Sequence, residues 1–170
     1  MSKGEFLTRA TIWAALICYA CGAALLLTAR GRVERLRAAR WFWTLGCGVY
    51  LAHVICAFQF YHGWSHAAAY RATARQVGET VGWAWGGGVF VNYLFTLLWL
   101  WDVWRWWRRG VLSYTQRSQA LLWAWHGFFF LLAFNGTVVF AHGPPRWLGL
   151  ALTAVLGLSW LSAQYRAVCN

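Results

Sequence analysis

The sequence predicts an all-α fold, a polytopic membrane helical bundle of about five transmembrane helices with one short interfacial amphipathic helix, on three observations. Hydrophobic residues fill 61% of the 170 positions and charged residues only 11%, against about 25% charged in an average soluble domain. The apolar residues gather into five runs of 17 or more, and a helix needs roughly 20 such residues to cross about 30 Å of hydrocarbon. The 15 tryptophans fall toward the ends of those runs, where indole rings favour the membrane–water boundary. A single transmembrane domain, 1–170, is the natural division.

The first run, 10–29, is free of charge up to its end. Lys3 and Arg9 ahead of it and Leu27-Thr28-Ala29 at its end also fit a secretory signal, but the run is longer than a usual signal core, and a membrane span is expected. The second run, 41–61, is interrupted by His53 and Gln59. After it, 65–81 reads as a short helix lying on the outer membrane surface. Ser65 supplies a start signal and Gly82 a stop. Ala67, Tyr70, Ala74, Val77 and Val81 recur at helical spacing, while Arg71, Arg75 and Glu79 form a polar stripe suited to headgroups. The third run, 81–104, contains Asn92 and Asp102; the fourth, 120–141, contains His126 and Asn135; the fifth, 147–163, is short and uncharged. Small residues at i, i+4, i+8 (Ala14, Cys18 and Gly22, for example) mark faces where helices pack closely in lipid.

Basic residues set the orientation. The loops after runs one and three, with Arg166, carry ten, and the other side carries five: Lys3, Arg9, Arg71, Arg75 and Arg146. The richer side belongs in the cytoplasm. The expected location is the cell inner (cytoplasmic) membrane, with the N-terminus outside and the C-terminus inside. The net charge of +11 does not indicate nucleic acid, because the arginines lie between apolar runs and no nucleic-acid motif accompanies them. Five cysteines, four of them inside apolar runs, do not form a secreted disulfide framework; small packing residues are the expectation.

Polar groups within a bilayer are costly and therefore informative. At ~1.5 Å per residue, His53 and Asn92 lie roughly 12–13 Å below the outer helix ends and Asn135 about 9 Å, with Cys18 at the same level. Nearer the outer boundary, His62 and His66 are spaced i, i+4, which puts two imidazoles on one face of an unbroken helix. His142 emerges on the same side. Three imidazoles can hold a transition metal (Fe, Cu or Zn), so His62, His66 and His142, with His53 beneath, form the candidate metal site. Water- and backbone-bonded interfacial histidines are the plainer reading. Haem is the less favoured cofactor, since His126 lies about 10 Å deeper than His53. Asp102 and Arg105, at i, i+3, read as a snorkelling ion pair; the alternative joins Asp102 to His126 as a proton relay.

The functional expectation is a small multi-pass protein with a histidine metal site at its non-cytoplasmic face, a redox or electron-transfer component of a membrane complex. The alternative is a structural or assembly subunit without chemistry of its own. The expected partners are the lipid bilayer and either further copies or a larger membrane complex.

Overall fold

The computed structural model describes residues 2–139 and 144–168, with side chains over 2–139 and 146–161, and these residues are helical apart from short turns. Helix α1 spans Lys3–Thr28 and α2 Val33–Ala57, which a π-helical turn, Phe58–His62, prolongs. Then come α3 (His66–Val81), α4 (Gly88–Arg109), a 3₁₀ turn at Val111–Tyr114, α5 (Gln119–Phe134) prolonged by a second π-helical turn at Asn135–Val139, and α6 (Pro144–Val168). Three continuous helical stretches are long and apolar enough to cross a bilayer: Lys3–Thr28, Val33–His62 and Gln119–Val139. The described apolar stretch of α6, Arg146–Leu161, is shorter. Helix α4 is not among the three; Asp102, Arg105, Arg108 and Arg109 crowd its last turns.

The helices outrun the apolar segments. Helix α1 begins at Lys3 rather than at residue 10, because Ser2 caps it by accepting from the Glu5 amide and Glu5 and Arg9 pair at 2.8 Å, one turn apart. Helix α2 begins at Val33, about two turns before Trp41. Hydrophobicity marks where lipid begins, whereas helix ends follow caps and backbone breaks. The same logic moves the start of the third run: Val81 closes α3, whose C-cap is Gly82 at φ +81°, and α4 starts only at Gly88.

An aromatic core joins four helices. The Phe129 ring of α5 lies 5.1 Å from Trp43 of α2, 4.5 Å from Phe95 of α4 and 6.0 Å from Tyr19 of α1. Each such pair adds about 0.5–1.5 kcal/mol beyond area burial. The tryptophans therefore do not all mark the membrane boundary. Trp43 and Trp106, expected near the inner helix ends, and Trp99, expected about a turn deeper, are essentially sealed inside the bundle, whereas Trp83 and Trp147 are more than two-thirds exposed. Within lipid, bundle-facing and lipid-facing positions are both apolar, so composition does not separate them.

Of the small-residue stripe of α1, Cys18 and Gly22 pack against α2, whereas Ala14 is exposed. A Cβ on Gly46 of α2 would come within 3.1 Å of the Cys18 Cβ and of the Trp99 ring, and one on Gly22 within 3.5 Å of the Ala39 carbonyl oxygen. Cys18, Cys21, Cys47 and Cys56 are all free thiols.

Candidate functional site

Polar side chains collect at two ends of the bundle. At the first, the α2 helix widens into its π-helical turn and the chain then reverses through Gly63 (φ +54°) and Trp64 (φ +57°). Left-handed backbone suits glycine and strains tryptophan; a hydrogen bond from the Trp64 indole N–H to the Gln59 carboxamide oxygen, 2.9 Å, holds the reversal. Ser65 then caps α3, its Oγ accepting from the Ala68 amide. The helix expected over 65–81 is present.

This reversal corrects the histidine pairing. His62 ends one helical segment and His66 opens another, so the two imidazoles do not share the face of a continuous helix. His66 instead turns to α4: its Nδ1 lies 2.9 Å from the Tyr93 hydroxyl, and its ring packs on Phe90 and Tyr93. His62 packs edge-on against Phe58, and its Nδ1 is buried with no hydrogen-bond partner. His142 lies outside the described residues. Among the described residues no three His, Cys, Asp or Glu side chains lie together in a way that could hold a metal.

His53 faces a different environment. Its Nδ1 is 3.0 Å from the Thr8 carbonyl oxygen of α1. A carbonyl only accepts, so Nδ1 carries the proton and, in the neutral ring, Nε2 is a free acceptor. The ring borders a cavity of about 150 Å³ shared with Asn92 and Tyr50. His53 and Asn92 thus meet at one level, as their depths predict; Cys18 and Asn135 do not line this cavity.

At the opposite end, Asp102 of α4 is fully buried and pairs with Arg117, whose Nη2 lies 2.7 Å from Asp102 Oδ1. Arg105, the partner expected from its i, i+3 spacing, sits over the Trp101 ring instead. The connection between α4 and α5 makes the exchange. Gly110, at φ +84°, ends α4, and the Trp106 indole N–H donates to the Val111 carbonyl. Ser118 caps α5. Arg117, immediately before that cap, is thereby directed inward. Its guanidinium stacks 3.9 Å over the Tyr114 ring, a cation–π contact strengthened by desolvation.

The Tyr114 hydroxyl lies 3.0 Å from His126 Nε2. Burial, with the negative charge of Asp102 adding to it, pushes this hydroxyl well above the usual tyrosine range. Tyr114 therefore keeps its proton; in the tautomer in which the phenol donates to Nε2, the neutral imidazole carries its one proton on Nδ1. His126 also borders a cavity of about 500 Å³ between α1, α5 and α6, walled mainly by apolar side chains such as Leu26, Leu122, Phe130 and Leu156, with Gln119 as a second polar group.

No protein family model, characterised protein or solved structure matches this chain.

Sequence reasoning reached Asp102 and His126 but missed Tyr114 and Arg117, which connect them. One signal was available. Asp102 is one of only four acidic residues, and a buried carboxylate needs a cation. Spacing alone favoured the nearest arginine on the same helix, and the reach of a loop arginine is fixed only by the fold.

Proposed function

We propose that the chain is a five-pass membrane protein, N-terminus outside and C-terminus in the cytoplasm, that takes up an apolar-tailed molecule with a carbonyl headgroup from the bilayer into the cavity beside His126. One observation carries the reading: His126 is anchored through Nε2 to the buried Tyr114–Arg117–Asp102 network while its ring borders an apolar cavity. A volume of about 500 Å³ is of the size that encloses small ligands, where a few fixed polar groups among apolar walls set orientation. Here the His126 Nδ1–H and the Gln119 carboxamide are donors suited to a carbonyl oxygen. The cavity is walled by helices that face lipid, so its ligand arrives from the membrane. Five passes follow if α4 and α6 cross beside the three long apolar stretches; the charges of α4 are then concentrated at one membrane face, and Asp102 is neutralised by Arg117.

Mass spectrometry of the intact detergent-purified chain, with extraction of what it retains, tests this reading. Retention of a carbonyl-headed lipophile by the native chain, and its loss in His126→Leu and in Leu156→Trp, is the expected result. Leu156→Trp fills the cavity without touching the network. Equal retention by all three chains, or no retained lipophile in any, overturns it.

A second reading keeps the histidine metal site with a redox role in a membrane complex. It is favoured by His53, whose Nδ1–H is held by a carbonyl so that Nε2 is left for a ligand, the arrangement usual for metal-binding imidazoles. The divergence of His62 and His66 weighs against it. Stoichiometric Fe, Cu or Zn in the purified chain, lost in His53→Ala, would support it. A chain holding neither lipophile nor metal, yet co-purifying with fixed partners, would favour the assembly-subunit role.

A further inference from the structure

The chain reversal after α2 creates a groove that the His126 cavity does not involve. It lies between the π-helical end of α2 and α3, has a volume of about 500 Å³, and is bordered by His62, Tyr61, Tyr70, Arg71 and Arg75 over alanines of α3. Ala68 and Ala72, one turn apart, leave the space open because neither side chain reaches across it.

Arg71 and Arg75 are set apart from the other arginines that lack a carboxylate or ring partner by bordering one groove together. Among the described residues, the carboxylate pairs are Glu5–Arg9 and Asp102–Arg117. Arg40, Arg105, Arg108 and Arg117 each sit over an aromatic ring. Arg71 and Arg75 have neither kind of partner, and at i, i+4 their side chains leave the helix on one face. Beside them, His62 Nδ1 is buried without a hydrogen-bond partner. Two guanidinium forks, without carboxylate or ring partners, and the His62 imidazole therefore border one groove. A phosphate group, with several acceptor oxygens and its negative charge, matches that set better than a single carboxylate.

We propose that this groove binds the phosphate group of an anionic lipid headgroup. The volume exceeds what a bare phosphate needs, leaving room for the body that carries it. Trp64 at the reversal, and Val81, Trp83 and Trp85 at and after the far end of α3, expose large apolar surfaces, which suit contact with acyl chains. Arg71 and Arg75 clamp the phosphate, and the His62 ring forms the wall beside it. The site is separate from the His126 cavity, and its test does not depend on what that cavity holds.

The experiment measures binding of the delipidated full-length chain to phosphatidylglycerol, phosphatidylcholine and inorganic phosphate, by native mass spectrometry and titration in detergent. Phosphatidylglycerol is expected to bind about tenfold or more tightly than phosphatidylcholine, and Arg71→Gln/Arg75→Gln to erase that difference. Arg108→Gln/Arg109→Gln, with the same change in net charge at the other end of the bundle, is expected to keep it. Inorganic phosphate competing as effectively as the lipid would keep the phosphate site and overturn the lipid assignment. Equal affinity for the two lipids, or loss of discrimination in both double variants alike, would overturn the site itself.

Discussion

Arg117, in the connection between α4 and α5, reaches back to Asp102 in the middle of the last turns of α4, with Nη2 and Oδ1 2.7 Å apart and both side chains almost completely withdrawn from the surface. A buried pair of this kind fixes a connection in place more than it adds net stability. Desolvating two charges is costly, and removing one partner leaves the other uncompensated. Asp102→Asn or Arg117→Gln alone is therefore expected to lower stability by about 3–5 kcal/mol. Asp102→Leu/Arg117→Met together should lose much less than the sum. Reversible unfolding in mixed micelles, analysed as a double-mutant cycle, measures this. Additive losses would show that the pair is not coupled.

The Tyr114 hydroxyl supplies a pH dependence with a definite sign. Its pKa is raised by burial in the folded chain, so the folded state holds the proton more tightly than the unfolded one. Stability is then fully present below the unfolded tyrosine value of about 10 and falls as pH rises through it. Tyr114→Phe should remove the part of the alkaline loss due to this hydroxyl. At neutral pH it should cost about 1 kcal/mol for the lost hydrogen bond to His126. Thermal melts of both chains across the alkaline range check the sign and the difference.

Tryptophans separate into two energetic classes. Trp43 is fully buried against Trp99, Phe129 and His126, so Trp43→Ala should destabilise by about 3–5 kcal/mol. Trp147 is 72% exposed, and Trp147→Ala should stay within about 0.5 kcal/mol. Parallel unfolding titrations of the two variants distinguish core from boundary tryptophan, and equal losses would contradict the packing described.

The short helix α3 depends on its cap. Ser65→Ala removes the acceptor for the Ala68 amide and should cost about 1 kcal/mol of local stability. Hydrogen exchange should quicken at the first-turn amides of α3 and stay unchanged in α5. His66, which opens that turn and contacts Tyr93, should become more mobile in side-chain NMR.

Gly46 tests the closeness of α1, α2 and α4. A valine there would meet Cys18 and the Trp99 ring, and overpacking of this kind typically costs about 1–3 kcal/mol. The same change at Gly48, where a Cβ meets nothing, should be milder in the same unfolding assay.

The all-helical class, the positions of the apolar runs and the helix expected over 65–81 were legible in the sequence, because each rests on local signals: run length, 3.6-residue periodicity, a serine cap and a glycine stop. The sequence also brought His53 and Asn92 to one level, since depth along a helix is a count of residues. What lay beyond it depended on contacts between segments. His62 and His66 have helical spacing, and only the left-handed backbone at Gly63 and Trp64 separates their faces. Asp102 has an arginine three residues away and takes one from the next connection. Trp43 and Trp147 are the same residue near the ends of apolar runs, yet one fills the core and the other faces outward. Pattern along a chain records which residues avoid water. In a bundle whose outward-facing positions are as apolar as its interior ones, the choice of partner is made by packing and by the desolvation of a few charges, and those are properties of the tertiary structure.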